Sequence, residues 1–209
     1  MRHGTRQVFR IDDISVNTDQ KRLRQMIDIC RTVAPDCRIM LGVSPVVFDM
    51  SDAEGIQKER VFPKILNVES DHRVFYEGTR VGLPSWLPVL LTEYENAYTA
   101  GHGIPHVDHR LLDYAAQELS IVQSCAIARS HTFIPPFHKW NKDTEAICNE
   151  RGIELVKLDT TKMRHVLYHN YDPDFDVDYY FHTHDFETED FADRMGVEYS
   201  PPHTVEGDR

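Results

Sequence analysis

Four groups of residues follow apolar stretches of this chain, and three of them carry side chains suited to binding a metal or moving a proton. In chain order they are Asp12-Asp13, His102 with His106, Pro135-Pro136-Phe137, and His182-Thr183-His184-Asp185. One carboxylate and two histidines can hold a metal ion, while a second carboxylate and a further histidine stay free to transfer protons. This combination indicates a metal-dependent hydrolase.

The adjacent carboxylates Asp12 and Asp13 follow a short β-rich run, Gln7–Ile11. Neighbouring side chains on a strand point to opposite faces, but at the turn beyond the strand both can reach one cavity. One carboxylate can then ligate a metal ion while the other stays unligated as a base. An Asp-Asp pair also commonly caps a turn or a helix, so it needs support from the rest of the chain.

His102 and His106 enclose Gly103 and Pro105, which predict a tight loop rather than a helix. Such a turn can aim both imidazoles inward. Neutral imidazole is a common ligand of zinc, and two imidazoles with one carboxylate leave coordination positions open for water and substrate. His109 could support the site, with surface or capping use as the alternative.

His182 and His184 alternate at the end of the β-rich run Val177–Phe181, so one of them is placed to donate a proton near the mouth of a sheet. Aromatic residues can wall an apolar pocket for a small acyl group or stack on a sugar, or can belong to the core. The aromatic candidates are Phe133, Phe137, Trp140 and Trp86.

Length and composition fit one ordinary domain, with 209 residues of which 41% are hydrophobic. A formal net charge of -11 opposes binding to nucleic acid, whose phosphates attract Lys and Arg. The longest apolar run, near 87–91, is too short to span a membrane, and residues 1–6 do not resemble a secretion signal. With four cysteines that form no C-x-x-C pair, these features predict a cytoplasmic protein with reduced thiols.

The alternation of β-rich runs and helical patterns predicts a parallel α/β fold. The predicted strands are 7–11, 38–43, 73–76, 96–100, 132–134, 153–158 and 177–181, and the predicted helices are 19–33, 87–94, 110–129 and 142–151. Residues 49–88 interrupt this rhythm and are interpreted as an insertion or long loop beside the site. Residues 188–209 are acidic and are expected to form a loosely packed C-terminal extension.

The four groups of residues named above resemble, in the same order, the motifs of the polysaccharide deacetylase family, the carbohydrate esterases of the NodB-homology type. The resemblance runs from residue 7 to residue 187, so residues 1–187 are interpreted as a single deacetylase-like catalytic domain. Family members have a distorted (β/α) barrel and use a divalent metal to remove acetyl groups from N-acetylated sugars. The resemblance therefore implies this barrel and a metal-dependent amidohydrolase acting on a non-peptide C–N bond.

The resemblance also implies the roles of the ionisable residues. Asp12 corresponds to the family's base, and the metal ligands correspond to Asp13, His102 and His106. The implied metal is Zn²⁺, with Co²⁺, Ni²⁺ and Fe²⁺ as alternatives. In the implied mechanism the metal polarises the carbonyl and activates a bound water, whose proton passes to Asp12.

The catalytic acid of the family corresponds to His184 or His182, and His184 is preferred because Asp185 follows it as in the family motif. A backbone N–H from the third motif would help to hold the oxyanion. The residues that line the substrate groove correspond to Pro135, Pro136 and Phe137, with Trp140 as a further candidate. The expected substrate is an N-acetylated sugar or a small amide.

Two features of the family pattern are missing. The third motif usually begins with an arginine that orients the base, and Phe133 stands nearest to that place, so Lys139 or Arg110 is a candidate replacement. The aspartate and tryptophan of the fourth motif have no clear counterpart, and Asp159 and Asp178 are the candidates for its aspartate.

Two other functions compete with the hydrolase. His106-Val107-Asp108 with a distant histidine, His165 or His182, has the spacing of a 2-His-1-carboxylate iron oxygenase. That class needs an all-β double-stranded barrel, and the predicted helix at 110–129 argues against it. The second competitor is a non-catalytic carbohydrate-binding protein on the deacetylase fold, which the missing arginine favours.

Overall fold

The computed structural model describes residues 7–47, 80–81, 83–104, 106, 108–174 and 177–198. Most of the expected insertion at 49–88, the expected strand at 73–76 and the end of the expected extension lie outside these ranges. Among the residues described, no helix is long and apolar enough to cross a membrane.

The strands are β1 (Val8–Ile14), β2 (Arg38–Val43), β3 (Val46–Val47), β4 (Arg80–Val81), β5 (Ala97–Gly101), β6 (Thr132–Phe133), β7 (Glu154–Leu155), β8 (Met163–His165) and β9 (Asp178–His182). Seven of them form a parallel sheet in the order β7-β6-β5-β2-β1-β9-β8, and β3 pairs with β4 in a separate antiparallel ladder. The seven-stranded sheet curls into a half-barrel with helices, which is a distorted (β/α) barrel. The predicted fold class is confirmed.

The helices are α1 (Gln20–Val33), α2 (Leu87–Glu93), α3 (Tyr114–Ala128), α4 (Lys142–Arg151) and α5 (Thr188–Arg194). Side chains cap α1, α3 and α4, because the first N–H groups of a helix lack internal partners. Asp19 accepts from the N–H groups of Lys21 and Arg22. Helix α3 starts later than predicted, since Asp113 accepts from the N–H of Ala116 and residues 109–111 form a separate 3₁₀ turn.

The main core packs α1, α2 and α5 against the central strands. Leu23 and Ile27 of α1 meet Phe9 and Ile11 of β1 in this cluster, and Phe181 of β9 lies there too, all fully buried. A second cluster joins α3 and α4 to β6. The four cysteines are buried free thiols within the structure.

Residues 188–197 differ from the loosely packed extension expected there. Helix α5 buries Phe191 and Ala192 in the main core, and Met195 just beyond it is also buried. The Phe191 ring packs on Phe181, with centroids 4.4 Å apart. The acidic residues of this segment lie on the face away from these apolar contacts, so a predominantly acidic composition concealed an amphipathic helix.

Candidate active site

The carboxyl ends of neighbouring parallel strands bring the predicted site residues together. Strands β1 and β9 pair in register so that Asp12 lies opposite His182. Strand β5 ends at Gly101, directly before His102, and pairs with β6 at Phe133. In parallel α/β sheets this edge is where ligand sites form, because the loops that follow the strands converge there.

An irregularity in β1 lets two adjacent carboxylates serve the same site. The pairing of β1 with β2 shifts register between Ile11 and Ile14, and Asp13 has a φ of 62°. This left-handed conformation breaks the alternation of an ordinary strand. The strand therefore continues through the aspartates instead of stopping before them. A bulge, rather than the predicted turn, brings both carboxylates to the same site.

Three predicted metal ligands converge on one point. Asp13 Oδ1 lies 3.3 Å from His102 Nε2 and 3.2 Å from His106 Nε2. The two Nε2 atoms are 3.2 Å apart. His102 is fully buried, and the side chains of Asp13 and His106 are 27% and 25% exposed, so the group opens to solvent on one side.

The hydrogen bonding of His102 fits a metal ligand. Its Nδ1 lies 2.9 Å from the carbonyl oxygen of Ile134, which can only accept a hydrogen bond, so Nδ1 carries the proton. In the neutral ring Nε2 then presents a lone pair toward Asp13 and His106. A partner of this kind, which fixes the tautomer of a histidine, is usual behind metal-ligating imidazoles. The donor set of two nitrogens and one carboxylate oxygen suits zinc and related divalent ions.

The electrostatics of the group also suit a cation. Burial raises the pKa of Asp13, but the hydrogen bond to His102 and the charges of His102, His106 and His182 together outweigh burial and hold the pKa well below its usual range. Burial and the neighbouring His102 lower the pKa of His106 to about 4, which keeps that ring neutral at neutral pH. For His102, burial lowers the pKa while Asp12 and Asp13 raise it, with a net rise. A proton and a metal ion therefore compete for its Nε2.

The second carboxylate, Asp12, is separate from the ligand group and pairs with Arg10. Arg10 Nη2 lies 3.0 Å from Asp12 Oδ2, and both side chains are almost completely buried. Burial raises the pKa of Asp12, but the charge of the Arg10 guanidinium and those of the nearby histidines together outweigh burial, so this carboxyl is held ionised. The arginine beside Asp12 thus comes from β1, two residues earlier in the chain. The candidates Arg110 and Lys139 both pair with Asp108 instead.

His138, Tyr180 and Gly42 fix the Arg10–Asp12 pair. Arg10 Nη2 lies 3.0 Å from His138 Nδ1, and burial and Arg10 lower the pKa of His138 to about 4, so this neutral ring can accept a hydrogen bond. The guanidinium carbon lies 4.8 Å from the centroid of the Tyr180 ring. A Cβ at Gly42 would lie 2.8 Å from Asp12 Oδ1, which is too close for any other residue without a shift.

His182, rather than His184, faces the ligand group, and this corrects the preference drawn from the sequence. Strand β9 ends at His182, whose Nε2 lies 3.9 Å from Asp13 Oδ2. The chain then turns, so the side chain of His184 is 66% exposed. Asp185 Oδ2 accepts from both the backbone N–H and the Nδ1–H of His182, at 2.8 and 2.9 Å. Burial lowers the pKa of His182, but the hydrogen bond to Asp185 and the charges of the nearby carboxylates raise it overall.

The groove residues separate into two places. Pro135 and Pro136 are buried beneath the site, and the ring of Phe137 packs edge-on to His106 with centroids 4.5 Å apart. Phe137 is 55% exposed and has a φ of 54°, so it stands open beside the ligand group. Trp140 instead packs against α4, where its Nε1 donates to Glu145 at 3.2 Å.

The remaining sequence candidates are engaged away from the ligand group. Asp178 Oδ1 accepts from the N–H of Val8, at the opposite end of the sheet, and Asp159 accepts from Thr161 in an exposed turn. His109 lies 3.0 Å from Ser120 Oγ. Phe133 and Trp86 pack in the core clusters. The carboxylate beside the candidate acid is therefore Asp185.

The iron-oxygenase alternative is not supported by the structure. Asp108, its proposed carboxylate ligand, forms a bidentate pair with Arg110 at 3.0 and 2.7 Å. The barrel is parallel α/β rather than all-β. The ligand group consists of Asp13, His102 and His106.

No protein-family model and no curated protein sequence matches the chain. Solved structures do match it. A family 4 carbohydrate esterase from Streptomyces lividans, in complex with acetate, aligns at a TM-score of 0.53 and 10% identity, over 90% of this chain and 84% of that one. The peptidoglycan deacetylase PdaC from Bacillus subtilis aligns at 0.50 and 10% identity, over 93% and 85% of the two chains.

A third match is a family 4 carbohydrate esterase pseudoenzyme from Bacillus anthracis, with a TM-score of 0.54 and 9% identity over 92% of this chain and 59% of that one. The present chain thus spans less than two thirds of that protein. At such identities the comparisons define a fold, and that fold is the one found in polysaccharide deacetylases of the NodB type. The resemblance seen in the sequence motifs is confirmed at this level.

Proposed function

We propose that this protein is a metal-dependent hydrolase that removes the acetyl group from an N-acetylated sugar or a related small amide. The observation that carries the proposal is that two adjacent carboxylates have different partners. Asp13 joins two histidines in a ligand group, while Asp12 is kept out of that group by its buried pair with Arg10. A metal hydrolase needs such a separation, because a base must keep its lone pair for a proton.

Asp13, His102 and His106 would hold one divalent ion, with Zn²⁺ as the first expectation from the donor types. When bound, the ion would supply Lewis-acid polarisation of the acyl carbonyl and would lower the pKa of a water molecule near it. The described residues leave the solvent-facing side of the group for substrate, next to the exposed ring of Phe137.

The chain's own residues would carry the proton transfers. Asp12, ionised by Arg10, would take a proton from the attacking water, and His182 would donate one to the departing nitrogen as the C–N bond breaks. The products are acetate and a free amine. Phe137 has the sole backbone N–H of the segment 135–137, because proline has none, and it would stabilise the oxyanion.

A second candidate function is non-catalytic carbohydrate binding, because one of the structures with a similar fold is a pseudoenzyme. The sequence favoured this function because the arginine of the third motif is missing. Arg10 weakens that reason, since the base has a guanidinium partner from another strand. The two functions differ in whether acetate is released.

Acetate release from N-acetylglucosamine oligomers and small N-acetyl amides tests the proposal. Wild type and Asp12→Asn are compared after zinc reconstitution to equal metal content. The hydrolase predicts turnover in wild type and a fall of about 10²- to 10⁴-fold in Asp12→Asn, the range typical of losing a general base. Sugar binding without any acetate from wild type would favour the binding protein.

A further inference from the structure

A second cluster of ionisable residues adjoins the ligand group and consists of His165, Asp185 and His182. We infer that His165 is a positioning residue that holds Asp185 against His182 and so fixes which nitrogen of His182 faces the substrate. This inference rests on the function proposed above, since it concerns the proton donor of that reaction. His165 comes from β8, an edge strand that the sequence patterns did not predict.

The hydrogen bonds of His165 determine its tautomer. Its Nδ1 lies 3.0 Å from the backbone nitrogen of Leu167, whose N–H can only donate, so Nδ1 is the unprotonated acceptor. The ring proton of neutral His165 must then be on Nε2. That atom lies 3.3 Å from Asp185 Oδ2, so it donates to the carboxylate. The side chain is only 10% exposed, and its ring packs edge-on to Tyr180 with centroids 4.5 Å apart.

The same tautomer argues against a second metal site in this cluster. A metal ligand needs a lone pair on the nitrogen that faces the ion, and Nε2 of His165 carries a proton instead. His102 is the contrast, because its Nδ1 donates to a carbonyl and leaves Nε2 unprotonated. His165 and His102 therefore have opposite tautomers, and His165 is not suited to the ligand role of His102.

The consequence for His182 is geometric. Asp185 Oδ2 receives His165 Nε2–H together with the Nδ1–H and backbone N–H of His182. Asp185 Oδ1 is 4.0 Å from the exposed His184. By occupying Oδ2, His165 keeps the carboxylate from turning toward solvent. Nδ1 of His182 stays bound to Asp185, and Nε2 remains directed at the ligand group, 3.9 Å from Asp13 Oδ2.

The test compares two amide replacements of His165 in the full-length zinc-loaded protein. Glutamine places an N–H near the position of Nε2, whereas the shorter asparagine does not reach Asp185. Long-range ¹H–¹⁵N correlation spectra of ¹⁵N-labelled protein, with His182 assigned from the His182→Ala spectrum, report which ring nitrogen carries the proton. His184→Phe, on the other side of the same carboxylate, is the matched control.

We expect Nδ1 of His182 to be protonated and hydrogen-bonded in wild type, His165→Gln and His184→Phe, and to lose this state in His165→Asn. We also expect kcat to fall by about 10- to 100-fold in His165→Asn with KM nearly unchanged, and His165→Gln to restore most of it. An unaltered His182 spectrum in His165→Asn would overturn the inference. Two metal ions per wild-type chain, with one lost in His165→Gln, would also overturn it by making His165 a ligand.

The spectra separate this inference from the proposed function. If the His182 spectra change as expected but wild type releases no acetate, the positioning role stands and the deacetylase fails. If acetate is released and the spectra of all variants are alike, the deacetylase stands and the positioning role fails.

Discussion

Arg10 and Asp12 lie two residues apart on β1 and form a buried ion pair, with Nη2 and Oδ2 separated by 3.0 Å. Alternation along the strand places both side chains on one face. The pair gives Asp12 the cationic partner that the third motif lacks, and it isolates Asp12 from the ligand group. Arg10 therefore contributes both to the stability of the barrel and to the ionised state of Asp12, the proposed base.

Removing one partner of this pair should be strongly destabilising. Arg10→Met leaves Asp12 buried without a cation, and the expected loss in the free energy of unfolding is about 3–5 kcal/mol. Arg110→Met is the matched control, because it breaks an exposed pair with Asp108 and should leave the stability nearly unchanged. Denaturant unfolding of both variants measures the difference, and equal stabilities would contradict the role of Arg10.

The same pair predicts a stability that depends on pH. The pKa of Asp12 in the folded protein is lowered below its ordinary value of 3.8. Its ionised form therefore stabilises the fold fully above the unfolded pKa, and this contribution is lost as the pH falls through the folded pKa. Asp12→Asn should be less stable than wild type at neutral pH, and the difference should shrink below about pH 4. A difference that stays constant down to strongly acidic pH would refute this linkage.

Replacing each of the two candidate acids by alanine should show which one donates the proton. His182→Ala is expected to lower acetate release by about 10²- to 10⁴-fold, because it removes the imidazole that faces the ligand group. His184→Ala removes an exposed imidazole two residues away and should leave the rate within about threefold of wild type. Steady-state rates at equal zinc content provide the measurement. A larger loss in His184→Ala would restore the assignment first drawn from the sequence.

Gly42 should matter for activity although it carries no side chain. In Gly42→Ala the new Cβ would lie 2.8 Å from Asp12 Oδ1, so the carboxylate or the strand must move. Because the proposed base would be displaced, we expect kcat to fall by at least about tenfold. Zinc content should stay unchanged, because the carboxylate of the ligand group is Asp13 and not Asp12. Parallel assays of acetate and zinc check this. Retention of full activity would mean that Asp12 has room that the structure does not indicate.

Much of the site could be predicted because parallel strands end at one edge. The sequence marked the strand ends before His102 and before the aspartates, and the edge rule then placed these residues together. The bulge at Asp13 was not predictable, since a φ of 62° there depends on the register of β1 with β2. The short strand Met163–His165 has too few residues for a period, so the sequence offered His165 only as an iron ligand and its place beside Asp185 was missed.

Arg10 was missed for a different reason, because a signal for it was present. Continuing the strand predicted at 7–11 by one residue would put Arg10 on the same face as Asp12, but the third family motif places its arginine near Phe133, so Lys139 or Arg110 was the expected replacement. Choosing between His182 and His184 required the last residue of β9, and strand ends are poorly determined by sequence. If β9 continued for two more residues, His184 would lie on the same face as His182.

Metal content of the purified protein, measured by elemental mass spectrometry after mild chelation and zinc reconstitution, tests the proposed metal site. We expect one zinc per wild-type chain, the same content in Asp12→Asn, and loss of zinc in His102→Ala and in His106→Ala. Wild type without bound metal, or loss of zinc in Asp12→Asn with retention in the histidine variants, would contradict the assignment of Asp13, His102 and His106 as the ligand group.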